Sequence, residues 1–263
     1  MRLYLELFKR SFQRMLAYRA ATFAGLLTNL FFGLLRAAVM TALYSARPEV
    51  AGISLQSAIT FTGISQAIIS FLSLFGSYEV MTAVYSGDIS ADLLKPYRYF
   101  SSWMARDLGR AAVNILLRGL PLTLAYALLF RITFPAGPAQ WLALIVALML
   151  AWAVCFSWRF LVNLAAFWTP EARGIGRFAF SLALFLSGFL MPLRFFPAWF
   201  TALCNLTPFP TMVNTVIEIY LGVVSGPALA QALLVQVVWL VILIAAAHLV
   251  MRAGVRRLVI QGG

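Results

Sequence analysis

The chain has 263 residues, 63% of them hydrophobic and 11% charged, with a mean hydropathy of +0.91. Soluble domains are nearer half apolar and a quarter charged, so composition excludes an ordinary soluble domain. A formal charge of +12 would suggest nucleic acid in a soluble protein; beside apolar runs longer than about 18 residues it marks basic residues that flank membrane spans and meet anionic lipid, with no nucleic acid among the partners.

At 100° per residue, Tyr4, Leu5, Phe8, Phe12, Met15 and Leu16 share one arc of residues 1–19, while Arg2, Glu6, Lys9 and Gln13 face the other way. This predicts an interfacial helix with its basic side toward the headgroups. The charges are spread over the whole stretch and a long apolar run follows, which does not fit a cleavable signal peptide. Six spans are expected, at 20–44, 57–85, 108–131, 141–168, 175–193 and 229–251. They are read as helices because the backbone must satisfy itself within a membrane. No soluble domain, internal repeat or low-complexity tract is expected, so 1–263 reads as one transmembrane domain.

In the second span Gly63, Gln66, Ser70, Ser73 and Ser77 fall within an arc of about 80° at helical spacing. Such a stripe either lets helices pack closely or lines a pathway, and both readings stand at this point. The segment "SGDISADLLKPYRYF", residues 86–100, then interrupts the apolar runs. Asp88 can cap a new helix, Asp92 adds negative charge near its start, and Pro96 disfavours helix at Lys95. Ile89 and Leu93, i and i+4, give one small apolar face. A helix of one to two turns is unstable alone, so it needs the membrane surface, neighbouring helix ends or a partner's groove.

Arg118 falls near the middle of the third span, where arginine costs about 2.5–3.5 kcal/mol on translocon scales. It should meet water or a partner, and Glu79 is the candidate. Arg36 and Arg159 lie nearer span ends, where a long side chain can snorkel. Cys155 and Cys204 sit in or near apolar stretches without metal-ligand spacing, as free apolar residues or a disulfide, and the lone His248 suits a packed or interfacial role. Residues 194–228 are apolar but broken by Pro197, Pro208, Pro210 and Pro227, which predicts an extracytoplasmic re-entrant hairpin rather than a seventh crossing.

Fourteen basic residues fall at one end of these spans: five in the N-terminal stretch, four in 86–110 (Lys95, Arg98, Arg106, Arg110), then Arg173, Arg177, Arg252, Arg256 and Arg257. Arg47, Arg131 and Arg194 fall at the other. This bias places both termini and the 86–100 segment in the cytoplasm. The only lysines, Lys9 and Lys95, follow Phe8 and Leu94, so neither can complete a G-x-x-x-x-G-K-[ST] loop. No metal site and no catalytic residue is predicted. Asp88 and Asp92 are a weak acid pair explained by their helix-start position, and a Ser–His hydrolase would need His248 to meet a serine on another span.

"SGDISADLLKPYRYF" resembles the G-x-x-x-x-x-L-L-[RK]-P stretch of type-2 ATP-binding-cassette (ABC) permeases, in the six-span subgroup that includes viologen-exporter permeases. "SGFLMPLRFFPAWFTALCNLTPFP" resembles that subgroup's hairpin between spans five and six. The order and spacing of these features cover essentially the whole chain. The resemblance implies an all-α fold with six transmembrane helices, an N-terminal interfacial helix, a cytoplasmic coupling helix and the re-entrant hairpin. It implies that Ile89, Asp92, Leu93 and Leu94, with Asp88, Lys95 and Pro96 framing them, couple to a separate ATPase subunit that holds ATP and magnesium. It also implies a second permease subunit, identical or homologous, in a bacterial cytoplasmic membrane. The expected function is that of an ABC exporter permease. The alternative is a standalone channel or ion-coupled carrier, motivated by the intramembrane arginines.

Overall fold

A computed structural model describes residues 2–45 and 49–257; Arg47 lies outside them. Helix α1 (Arg2–Ala17) is amphipathic as expected, and part of its apolar arc packs on protein. It runs along α6 (Tyr99–Asn114), burying Ser11, with the Tyr4 hydroxyl accepting from the Arg98 amide at 3.3 Å. Gly109 makes this closeness possible, since a Cβ there would strike the Phe8 carbonyl. Leu3, Leu5 and Leu16 stay exposed.

Helix α2 (Arg19–Tyr44) buries Thr22, Asn29, Gly33, Ala37, Met40 and Tyr44. Their spacing of mostly three or four gives one stripe, which packs on α3 (Leu55–Leu72). The opposite face exposes Phe23, Phe31 and Leu35, as a lipid-facing helix would. Between them a two-residue hairpin pairs β1 (Glu49–Val50) with β2 (Ile53–Ser54), Val50 opposite Ile53. Positive φ at Ala51 and Gly52 makes its turn. Ser54 caps α3 by accepting from the Ser57 amide at 3.3 Å. Every residue of α3 from Ala58 to Leu72 is buried, so it is the central helix of the bundle.

The expected span 57–85 is not one helix. Ser73 takes a left-handed conformation (φ 54°) and ends α3; Gly76 (φ 91°) turns the chain, and α4 (Glu79–Tyr85) starts separately. A side chain at Gly76 would collide with the Phe180 ring, so the loop must lie flat on α9 (Ala172–Leu186). Helix α5 (Asp88–Leu93) follows after Gly87, whose φ of 79° makes it the cap position. Asp88 is thus the first helical residue and not the cap; its carboxylate accepts from the Ser86 hydroxyl at 2.7 Å instead.

The third span begins earlier than expected. From Tyr99, α6 passes through a π-helical turn (Ile115–Gly119) directly into α7 (Leu120–Leu129). Pro121 has no N–H to give the Leu117 carbonyl, and a local change of helix winding accommodates such a gap. Helix α8 (Pro138–Asn163) extends through a 3₁₀ turn to Phe167 and packs on α12 (Gly226–Val255). Only Gln236, Leu243, Ala247 and Gly254 of α12 are buried, so it is peripheral.

Among the described residues five helical segments are long and apolar enough to cross a membrane: Arg19–Tyr44, Leu55–Leu72, Tyr99–Leu129, Pro138–Phe167 and Gly226–Val255. Helix α9, in the place of the expected fifth span, has 15 residues. At 1.5 Å per residue it reaches about 22 Å, short of a hydrocarbon core of about 30 Å. Before α12 begins at Gly226, with Pro227 in its first turn, the expected hairpin region 194–228 holds short helices, α10 (Ala198–Asn205) and α11 (Asn214–Tyr220), with 3₁₀ turns at Leu193–Phe195 and Phe209–Thr211. The chain is a multi-pass, mostly helical membrane protein.

Candidate functional site

The 86–100 segment is seated by its own chain. Ile89 is fully buried and Leu93 half-buried in a cluster with Val80 of α4, Tyr99 and Phe100 of α6, Phe156 and Phe160 of α8 and Ala247 of α12. The apolar face of Ile89 and Leu93 therefore points inward, not into a partner's groove. The physical reason is that Tyr99 and Phe100, only a few residues downstream, bring an aromatic floor under the short helix. Leu94 is the exception: it is 88% exposed, the most exposed large apolar side chain of the segment. Beside it Asp92 accepts from Lys95 Nζ at 2.6 Å and from the Tyr97 hydroxyl at 3.2 Å. Burial alone would raise the Asp92 carboxyl, but the Lys95 ammonium and the Tyr97 hydroxyl hold it below the usual carboxylate range. Asp88 and Asp92 thus bond to different groups and do not act as a pair. Pro96 and Lys95 are exposed at the helix end.

The core beneath this segment holds charges that the sequence reading placed elsewhere. Asp107 on α6 accepts from Arg159 of α8 through both oxygens, at 3.0 and 2.7 Å, and from Trp152 Nε1 at 2.9 Å. Arg110, one turn on, bonds the same carboxylate. The Arg159 side chain is 4% exposed. Expected near a span end and able to snorkel, Arg159 is instead a fully enclosed, bidentate partner. One turn further along α8, Asn163 accepts from the Met81 amide at 3.0 Å and donates to the carbonyls of Ser77 and Arg159, each at 2.7 Å. It satisfies the backbone left open where the second span breaks, and so ties α4 to α8.

The expected polar stripe divides. Gly63, Gln66 and Ser70 lie buried on α3, facing neighbours: a Cβ on Gly63 would strike the Tyr126 ring, and Asn29 of α2 donates to the Gln66 carbonyl at 3.4 Å and to the Ser70 hydroxyl. Ser73 and Ser77 lie in the loop and leave the helical face. Glu79 meets Arg14 of α1 at 3.1 Å and not Arg118, which corrects the expected pair. Arg118, on the π turn, lies against Gly25 of α2; its Nε is buried without a partner, and no carboxylate lies within 4 Å among the described residues. Arg36 donates to the Phe189 carbonyl at 2.5 Å and to Ser65 Oγ at 3.3 Å, and stacks on the Phe189 ring. In the 194–228 region, Arg194 bonds Glu218 through Nε and an Nη at 3.0 and 2.8 Å. Cys155 and Cys204 are both free and buried, and His248 packs its ring on Phe100.

The succession of a seated short helix, a broken second span and proline-rich short helices before the last span extends over most of the chain, and the sequence pattern of one family, described as "ABC-2 family transporter protein", matches residues 28–262. The chain belongs to the ABC-2 transporter family. An ABC-2 permease is the membrane component of an ABC transporter, a transport subunit that generally works with a separate ABC ATPase. No curated protein matches this permease.

Proposed function

We propose that this permease is a subunit of a bacterial ABC exporter in the cytoplasmic membrane, within the six-span subgroup resembling viologen exporters. Two permease subunits, identical or homologous, form the pathway between them. In this reading both termini and the 86–100 segment face the cytoplasm, where arginine and lysine concentrate. Helix α9 makes the sixth crossing with help from the residues around it, and the α10–α11 region lies on the far side. ATP and magnesium are held by a separate ATPase subunit that docks on α5. The carrier alternative loses one of its three motivating arginines, since Arg159 is matched by Asp107.

The observation that supports this best is the division of labour within α5. Ile89 is anchored among α4, α6, α8 and α12, while Leu94 is left exposed at the helix end. A partner that grips Leu94, with Asp88, Lys95 and Pro96 around it, would pull through Ile89 on three membrane helices at once. Replacing Leu94 by Asp puts a charge into that contact without disturbing the permease core, and an unpaired buried charge weakens an interface strongly. Retention of the ATPase on the tagged permease should fall at least about tenfold, with ATP hydrolysis by the complex falling in parallel. The permease alone should melt as before. Ile89→Asp should instead destabilise the permease itself. Unchanged ATPase retention and turnover in Leu94→Asp would remove the docking role.

A further inference from the structure

A cavity of about 430 Å³ opens at the basic end of the bundle, where α6 begins and α8 and α12 end. Its apolar lining comes from Phe100, Phe160, Ala247 and Met251. Two arginines line it as well, Arg98 at the start of α6 and Arg252 in the last turn of α12. Both are exposed, and neither guanidinium meets a carboxylate within 4 Å among the described residues. Tyr99, also in the lining, is 5% exposed, and its hydroxyl has no hydrogen-bond partner there. An aromatic floor beside two unmatched cations suits an amphipathic anion.

We propose that this cavity binds one anionic phospholipid of the surrounding membrane. The phosphodiester lies between Arg98 and Arg252, and the start of one acyl chain runs over Phe100, Phe160 and Met251. Guanidiniums bind phosphate oxygens through charge-assisted hydrogen bonds, and polybasic sites beside membrane helices attract anionic lipid. A soluble phosphate would use the arginines and leave the apolar lining bare, which is why the lipid is the occupant. Phe100 and Phe160 also form the floor under Ile89. A lipid here therefore braces the seat of α5, whether or not an ATPase docks on it.

The test uses the full chain purified in neutral detergent, with phosphatidylglycerol, phosphatidylcholine or inorganic phosphate added, read by native mass spectrometry and by melting temperature. Phosphatidylglycerol should bind and raise the melting temperature more than phosphatidylcholine does. The double variant Arg98→Gln/Arg252→Gln should weaken phosphatidylglycerol binding at least about tenfold, since one lost charge-assisted contact is already of that scale. Arg256→Gln/Arg257→Gln, with the same loss of charge just outside the cavity, should bind as the parent does. Met251→Trp keeps both arginines and fills the apolar side, so it too should weaken lipid binding. Equal weakening by both arginine doubles would reduce the effect to general surface charge and overturn the site. So would no preference over phosphatidylcholine, or inorganic phosphate reproducing the stabilisation. Unchanged lipid binding in Met251→Trp would remove the acyl chain from the cavity.

Discussion

One long helix carries two arginine regions that the fold treats in opposite ways. Around Asp107, midway along α6, three neighbouring side chains converge on a single carboxylate, and Arg159 is enclosed with both its Nη groups used. At the π turn eleven residues later, Arg118 has no acid to meet among the described residues, and its Nε is buried without a partner. A charge inside a membrane protein is tolerated when paired or when it serves water or a passing ion. The first region has the complete set of partners that a structural charge needs. The second is held only by the closeness of Gly25, which positions the guanidinium without neutralising it. Arg118 is thus the arginine of this helix whose charge is enclosed without an acid among the described residues.

Breaking both regions in the same way separates them. Arg159→Leu leaves Asp107 enclosed with a deficit of donors, and loss of one partner from a buried pair costs about 3–5 kcal/mol. Asp107→Leu with Arg159→Leu should recover much of that, because replacing a whole buried pair by apolar residues is often close to neutral. Arg118→Leu should leave stability within about 1 kcal/mol of the parent or raise it, since it removes a charge that is unfavourable in a membrane. In the proposed exporter its effect should appear in transport and not in stability. Detergent melting of the purified permease measures all three variants. Comparable losses for Arg159→Leu and Arg118→Leu would erase the distinction between a structural and a free arginine.

The same comparison shows what the sequence could express. Helix α2 and the last span were legible because their apolar runs are long and unbroken, and α1 because its two faces separate cleanly. The break at Ser73 was missed because "FLSLFGSYEV" stays apolar on both sides. Only Gly76 between two serines signals a turn, and the need for it comes from Phe180, a hundred residues away. Asp107 falls just before the expected third span, 108–131, although an aspartate three residues before Arg110 is a local sign of pairing. Nothing in one sequence ties it to Arg159, 52 positions on. For α5 the apolar face of Ile89 and Leu93 was readable, but not what covers it: periodicity says a face must be buried, not against whom. Asn163 and Gln236, which bond backbone carbonyls across helices, give no periodic signal at all.

The contact between α1 and α6 tests how the basic end is held beneath the Asp107 region. Gly109 lies two residues past Asp107, and a Cβ there would strike the Phe8 carbonyl and approach Ser11 Cβ at 3.0 Å and the Phe12 amide at 3.1 Å. Backbone on the other side cannot rotate away, so Gly109→Ala must lift α1 from α6. Overpacking of this kind costs about 1–3 kcal/mol. Hydrogen exchange should speed up in 4–14 before it does so in α6. Parent-like exchange over α1 would mean that the two helices separate readily already, and that Ser11 is buried only transiently.

The smallest effect concerns Glu79, the acid once expected to neutralise Arg118. Its contact with Arg14 is an exposed pair, with side chains 48% and 61% exposed, and such pairs are worth about 0.2–1 kcal/mol. A double-mutant cycle of Arg14→Leu with Glu79→Gln should give a coupling in that range at low salt. The coupling should fade as ionic strength rises, because surface charges are screened. The parallel cycle of Arg118→Leu with Glu79→Gln should be additive within about 0.3–0.5 kcal/mol, as for residues without a shared partner. Melting in detergent at two salt concentrations reads both. A coupling above about 1 kcal/mol between Arg118 and Glu79 would mean that the π-turn arginine has its own acid after all. It would then join Arg159 on the structural side of the comparison.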